Sequence, residues 1–203
     1  SQLVGAVNSA LRTSPVNGAI ASELDDLQNV VDVYKTVLAH AETGAAGGPT
    51  AQEYAALGVI LGADVQNGDG FALFDEAIGN AGRDDVDTVP KIEGLARTAQ
   101  RIMDTVDGGT ADPALTVEDL EALGLTGVTD DNVTAGVDAI AGLSSAADAD
   151  ELSKLQAAVT TGQSTYTAAL KVIEDYAEND GTGTTPTAGD FRLAGVDLND
   201  QTV

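Results

Sequence analysis

The side chains in this sequence that could do chemistry are almost all carboxylates. Asp and Glu number 33 against 9 Lys and Arg, with one histidine and no cysteine. Disulfides, Cys-ligated zinc, iron–sulfur clusters and thiol nucleophiles are therefore excluded. Clustered carboxylate and amide oxygens suit hard cations such as calcium, which take several oxygen ligands at close spacing. Such groupings occur at Asp64 with Asn67 and Asp69, at Asp84, Asp85 and Asp87, and at Asp130, Asp131 and Asn132. Others are Asp148, Asp150 and Glu151, then Glu178, Asn179 and Asp180, then Asp197, Asn199 and Asp200. Asp64, Asp69, Asp130, Asp131 and Asp180 are the candidate calcium ligands. None of the groupings fits the helix–loop–helix calcium pattern: counted from Asp64, the sixth position, which requires Gly, is Asp69. The competing role for Asp and Asn is capping helices and making turns, as Asp131 and Asp150 would do at helix starts.

His40 is the one imidazole, and as a catalytic base it would need a nucleophile and an orienting carboxylate. Nothing near it in the sequence supplies them, and the expected role is a cation at the C-terminus of a long helix. Asn67-Gly68-Asp69-Gly70 lacks the Gly-Lys-Ser/Thr ending of a phosphate-binding loop. No catalytic or cofactor-binding residue is assigned, a non-enzyme is expected, and calcium is the only candidate cofactor.

The formal charge of −24 argues against nucleic-acid binding, which rests on clustered Lys and Arg, and against an anionic membrane surface. No run of about 18 apolar residues is present to span a bilayer, so membrane insertion is not expected. Ser1 to Val7 lack the basic start and apolar core of a signal peptide, and the sequence reads as a segment of a longer chain. Hydrophobic residues make up 43% but aromatics only 3%, which predicts thin cores built from Ala, Val and Leu.

The elements that position these residues are set by a repeat. One phrase recurs as Pro49 to Val59, Leu115 to Leu125 and Pro186 to Val196, at two nearly equal spacings. Each copy has a Thr at a helix N-cap with an acidic residue three places on, and each ends at a glycine (Gly58, Gly124 or Gly195) suited to a left-handed C-cap. Glu53 is expected to complete a capping box, with Asp119 and Asp190 as shorter variants. The phrase predicts a two-turn helix with Tyr54 and Leu57, Leu120 and Leu123, or Phe191 and Ala194 facing inward.

A longer stripe accompanies it: Leu24, Leu27, Val31, Tyr34 and Leu38 recur at one constant offset as Ile92, Leu95, Ala99, Ile102 and Val106, spaced as on an amphipathic helix. In the third copy Leu152, Leu155 and Val159 fall in line with Ile92, Leu95 and Ala99, after which an insertion of about one turn precedes Tyr166 and Leu170. The insertion reads either as a stutter or as a break at Gly162. A middle helix is carried by Phe71, Phe74 and Ile78, by Val133, Val137 and Ile140, and by Leu3, Val7 and Leu11.

The expected fold is all-α, in tandem three-helix units of one short capped helix and two longer amphipathic ones. Residues 1–48 hold the last two helices of a first unit, 49–114 a second unit, 115–185 a third, and 186–203 the start of another. Units this small are near the lower limit for a self-sufficient core, so neighbouring units of the same chain should pack together or share helices.

Leu115 to Val133, followed by Val137-Asp138-Ala139-Ile140, resembles a helical repeat of very large, acidic, tandem-repeat surface proteins of marine and other gram-negative bacteria, the giant secreted adhesins of biofilm and cell attachment. The resemblance covers roughly half of the chain and departs after Val59 in the second unit. It implies extracellular display at the bacterial cell surface and export without a cleaved N-terminal signal. It brings no catalytic or receptor-binding motif. The functional expectation is a non-catalytic segment that extends or presents other domains, with calcium as a stiffening cation. The alternative is a module that binds a host or matrix protein or glycan in a groove between units.

Overall fold

The computed structural model describes residues 2–13, 24–44, 47–109, 111–196 and 198. Its secondary structure is helical throughout, with no strand among the described residues: α1 (Gln2–Thr13), α2 (Leu24–Thr43), α3 (Ala51–Ala56), α4 (Gly68–Asn80), α5 (Val89–Val106), α6 (Val117–Ala122), α7 (Val133–Ala141), α8 (Leu152–Glu178) and α9 (Ala188–Leu193), with 3₁₀ turns at Ala63–Val65, Arg83–Asp85 and Ala146–Asp148. The all-α reading is correct. Asp197, Asn199 and Asp200 lie outside the described residues.

The three short helices are one structure built three times. Thr50, Thr116 and Thr187 each accept the N–H of the residue three places on, at 3.3, 3.2 and 3.2 Å. The carboxylates of Glu53, Asp119 and Asp190 accept the threonine N–H in return, at 2.7, 3.0 and 2.7 Å. All three are therefore complete capping boxes, including the two built on the shorter Asp. At the other end Gly58, Gly124 and Gly195 take φ of 84, 90 and 79°. The next N–H, of Val59, Leu125 or Val196, returns to the carbonyl of Tyr54, Leu120 or Phe191, the left-handed glycine closure of a helix.

The longer helices pack as pairs: α1 with α2, α4 with α5, and α7 with α8. α2 also packs on α4 and α5 on α1, which closes a four-helix ring. α5 packs on α7 and α8 on α4, which closes a second. The α4–α5 pair belongs to both rings, and one apolar cluster runs from Ala6 to Val159.

α8 corrects the reading of the long stripe. It runs unbroken across Gly162, and its polar contacts set Lys154 in the place of Lys91 and Gln156 in the place of Glu93. Leu155, rather than Leu152, is thereby the counterpart of Ile92. Lys91 reaches the Asp87 carboxylate at 2.8 Å and the Asp84 carbonyl, while Lys154 reaches Asp150 at 2.6 Å and the Ala147 carbonyl at 2.8 Å. Glu93 accepts the Ile60 N–H at 3.1 Å and Gln156 the Thr126 N–H at 2.9 Å. Apolar stripes with steps of three and four match almost as well when slid by one such step, so the polar contacts carry the alignment.

Gly162 marks a close helix crossing. A Cβ there would lie 2.7 Å from the Gly136 Cα and closer still to the Ala135 carbonyl oxygen. On α7 it is Ala135, Gly136 and Ile140 that are buried, while Val133 and Val137 are half-buried. At the crossing itself α7 thus presents two small residues, Ala135 and Gly136, to Gly162.

Gly94 lies inside α5 with open space around it. Gly94→Ala should stabilise by about 0.5–1 kcal/mol through helix propensity. Gly162→Ala should instead destabilise by about 1–3 kcal/mol, because the added methyl meets backbone that cannot move aside. Chemical denaturation of the two variants beside the parent checks the opposite signs.

Candidate functional site

The groups that organise this protein lie at the junctions between helix pairs. The N-caps of the two later long helices, Thr88 and Glu151, make no side-chain cap of their own, which would strand the first N–H groups. A preceding pair satisfies the first of them in each helix. Val89 N–H donates to Ser9 Oγ of α1 at 3.2 Å, and Leu152 N–H donates to Glu76 Oε2 of α4 at 2.7 Å. The Glu76 carboxylate also complements the positive end of the α8 dipole.

Further ion pairs tie elements across the junctions. Arg83 meets Glu42 at the end of α2 at 2.7 Å, and Arg192 of α9 meets Asp138 of α7 at 2.6 Å. Arg101 of α5 pairs with Asp119 in the α6 capping box and reaches the carbonyls of Pro113 and Ala114 at 3.3 Å. Burial pushes the Asp119 carboxyl up, but hydrogen bonds from Arg101 and Thr116 outweigh it, leaving the group below the ordinary carboxylate range.

His40 does more than stand at the end of α2. Its ring is buried, with Nε2 2.9 Å from the Asp75 carbonyl oxygen and 3.3 Å from Asp75 Oδ1. Gly48 and Gly79 make room for it: a Cβ on Gly48 would fall 2.8 Å from the imidazole Cδ2, and one on Gly79 would fall 3.1 Å from Cε1. The pair ties α2 to α4. Burial raises the Asp75 carboxyl above its usual range, with His40 opposing. The adjoining cleft of about 430 Å³ is lined by His40, Gly44, Ala72, Asp75, Glu76, Gly79 and Asn80, none of which is a hydroxyl or thiol nucleophile. Beside it Tyr54 is fully buried, edge-on to Phe74 at 4.9 Å and Phe71 at 6.5 Å. Burial pushes its phenol well above the ordinary range.

The candidate calcium ligands are dispersed. Asp64 sits in the 3₁₀ turn Ala63–Val65, where its N–H donates to Gln100 Oε1 at 3.0 Å and its carboxylate accepts the Gln100 amide. Asp69 is in the first turn of α4. Asp130 and Asp131 are exposed in the turn before α7, where Asn132 closes the loop by accepting the Thr129 N–H at 2.9 Å. Asp180 follows α8 with a φ of 52°. Among the described residues no three His, Asp or Glu side chains converge as a metal-holding group. Asp87 and Asp150 are engaged by lysines, and Asp85 and Asp148 cap their 3₁₀ turns.

Two grooves flank α7. One of about 330 Å³ lies against the α5–α6 connection and includes Ala111, Leu115, Val133 and Val137. The other, about 500 Å³, lies beside α9 and includes Thr134, Arg192, Val196 and Leu198. No helix among the described residues is long and apolar enough to cross a membrane. Comparison with protein-family models, with curated proteins and with solved structures finds no match for this chain.

Asp119→Ala should cost roughly 1 kcal/mol or more at neutral pH, through loss of the cap. A carboxyl held below its unfolded value stabilises above that value and loses the contribution as pH falls through the folded one. The gap between parent and variant should therefore close under acid conditions, which denaturation midpoints from pH 7 down to pH 2 would show.

Proposed function

We propose that this chain is a non-catalytic structural segment of a large bacterial cell-surface adhesin, a stack of helix pairs that extends and presents other domains. The observation that carries the reading is the single apolar core passing through both rings without a break, bridged at each junction by a side chain capping the next long helix. A chain joined in this way resists bending and separation between pairs. The excess of carboxylates on its surface keeps neighbouring copies apart laterally. Calcium enters as a cation that neutralises this surface and stiffens the stack. The adhesin context itself comes from the resemblance of the Leu115 to Ile140 segment.

A second reading is favoured by the groove between the α5–α6 connection and α7, an apolar trough at a junction. There the module would hold a host or matrix peptide or glycan, with Val133 and Val137 as contacts.

Antibodies raised against the chain should label intact cells of the source organism; labelling only after permeabilisation would overturn the surface assignment. At fixed ionic strength, calcium should raise the unfolding midpoint above that in magnesium or chelator. Equal midpoints would remove calcium from the reading and leave the helical spacer.

A further inference from the structure

We infer that the Asn67–Gly68 bond is a modification site, at which the folded protein deamidates itself and alters both charge and backbone at the start of α4. The inference is independent of the adhesin reading.

The chemistry needs an asparagine amide within reach of the next backbone nitrogen and no side chain shielding that nitrogen. The Gly68 nitrogen, its proton passed to hydroxide, attacks Asn67 Cγ, and ammonia leaves as a cyclic imide closes. Water then opens the ring. Cleavage between Gly68 N and Cγ leaves an aspartyl residue at position 67. Cleavage between Gly68 N and the Asn67 carbonyl carbon leaves isoaspartyl, with the main chain running through the side chain. Either way a neutral amide becomes a carboxylate, and water is the only co-reactant.

The structure meets these conditions at one place among the described residues. Asn67 and Gly68 are both exposed. Asn67 occupies the N-cap of α4 in extended backbone, yet its side chain makes no cap bond, although Asn is a favoured capping residue. Its carbonyl is held by a long bond from the Phe71 N–H at 3.4 Å, and no described hydrogen bond engages the Gly68 N–H. Gly68 has a φ of 63° and open space where a Cβ would stand. The torsions that carry Cγ onto the nitrogen therefore turn without meeting a side chain. The other described asparagines are held or shielded. Asn132 accepts the Thr129 N–H, donates to the Gly127 carbonyl at 3.0 Å, and is followed by β-branched Val133. Asn179 donates to the Asp175 carbonyl at 2.7 Å and is followed by Asp180. Asn17–Gly18 has the same pair of residues but lies outside the described residues.

The two products differ in what they do to α4. An aspartyl carboxylate falls at the positive end of the helix dipole, which favours it. Isoaspartyl adds a methylene to the main chain just before the helix that carries Phe71 and Phe74 to Tyr54, so it costs stability that aspartyl does not.

Peptide mapping by mass spectrometry tests this on the intact chain during incubation in mildly alkaline buffer. The peptide carrying residue 67 should exchange its amide for a carboxyl before those carrying Asn132 or Asn179 change. Its rate should rise with pH and stay close to that of a synthetic peptide of residues 63–72. An isoaspartate-specific methyltransferase should label the aged peptide. Asn67→Ser, which keeps a capping side chain but cannot form the imide, should leave that peptide unchanged, with circular dichroism as in the parent. The isoaspartyl fraction should unfold at a lower midpoint than fresh protein, whereas Asn67→Asp should not. Conversion of the synthetic peptide without conversion of the folded chain would overturn the proposal. So would equal rates at Asn132 or Asn179, an absence of isoaspartyl label, or an isoaspartyl form that unfolds like Asn67→Asp.

Discussion

A long helix begins with N–H groups that need acceptors, and in this protein the acceptor is carried by another helix pair. The N–H of Val89 is satisfied by Ser9 of α1, and that of Leu152 by Glu76 of α4, each far back along the chain. Because an unsatisfied buried donor costs about 1–3 kcal/mol, the start of each later long helix is stabilised only once the preceding pair is in place. The shared core follows the same rule. Neither the α4–α5 pair nor the α7–α8 pair has both faces of its stripe covered without its neighbours. The stack is thereby cooperative along its length, in the manner of a solenoid.

Much of this was legible in the sequence where polar chemistry fixes the outcome. The Thr-x-x-acid phrase and the terminal glycine can do little except cap and close a short helix, and all three copies cap and close as read, although Phe191 and Ala194 of the third are only half-buried. The alignment of α8 was not legible from its apolar residues, since Leu152, Leu155 and Val159 fit more than one register. It was written instead in a phrase shared by residues 85–91 and 148–154, with Asp, Asp and Lys at matching places in both copies. Local glycine propensity leaves Gly162 open to either a stutter or a helix break. Its role is a contact with Ala135 and Gly136, which no local pattern reveals.

The junction chemistry was the least legible. Ser9 and Glu76 are different residue types doing one job, so similarity between repeats does not find them. The His40–Asp75 contact occurs at one junction and leaves no trace in the repeat, where Gly108 stands in the place of His40. Its only sequence signal is the pair of glycines that clear space for the imidazole. The acidic groupings illustrate the opposite case. Asp85, Asp87, Asp148 and Asp150 stand out in the sequence by density, and their contacts with lysines and turn caps follow from spacings of three and four residues.

Sharing the α4–α5 pair between two rings has a bearing on how such a chain changes length over evolution. The α4–α5 pair meets a helix pair on either side, and the capping position needs only an acceptor, whether hydroxyl or carboxylate. A recombination event that adds or removes one whole period, cut at any equivalent point, leaves every remaining pair with a partner and every long helix with a cap. Cuts of other lengths would set apolar faces against solvent. The architecture thus tolerates expansion and contraction in whole periods while penalising fractional ones, so gene-level slippage becomes a usable source of variation in the length of the stack.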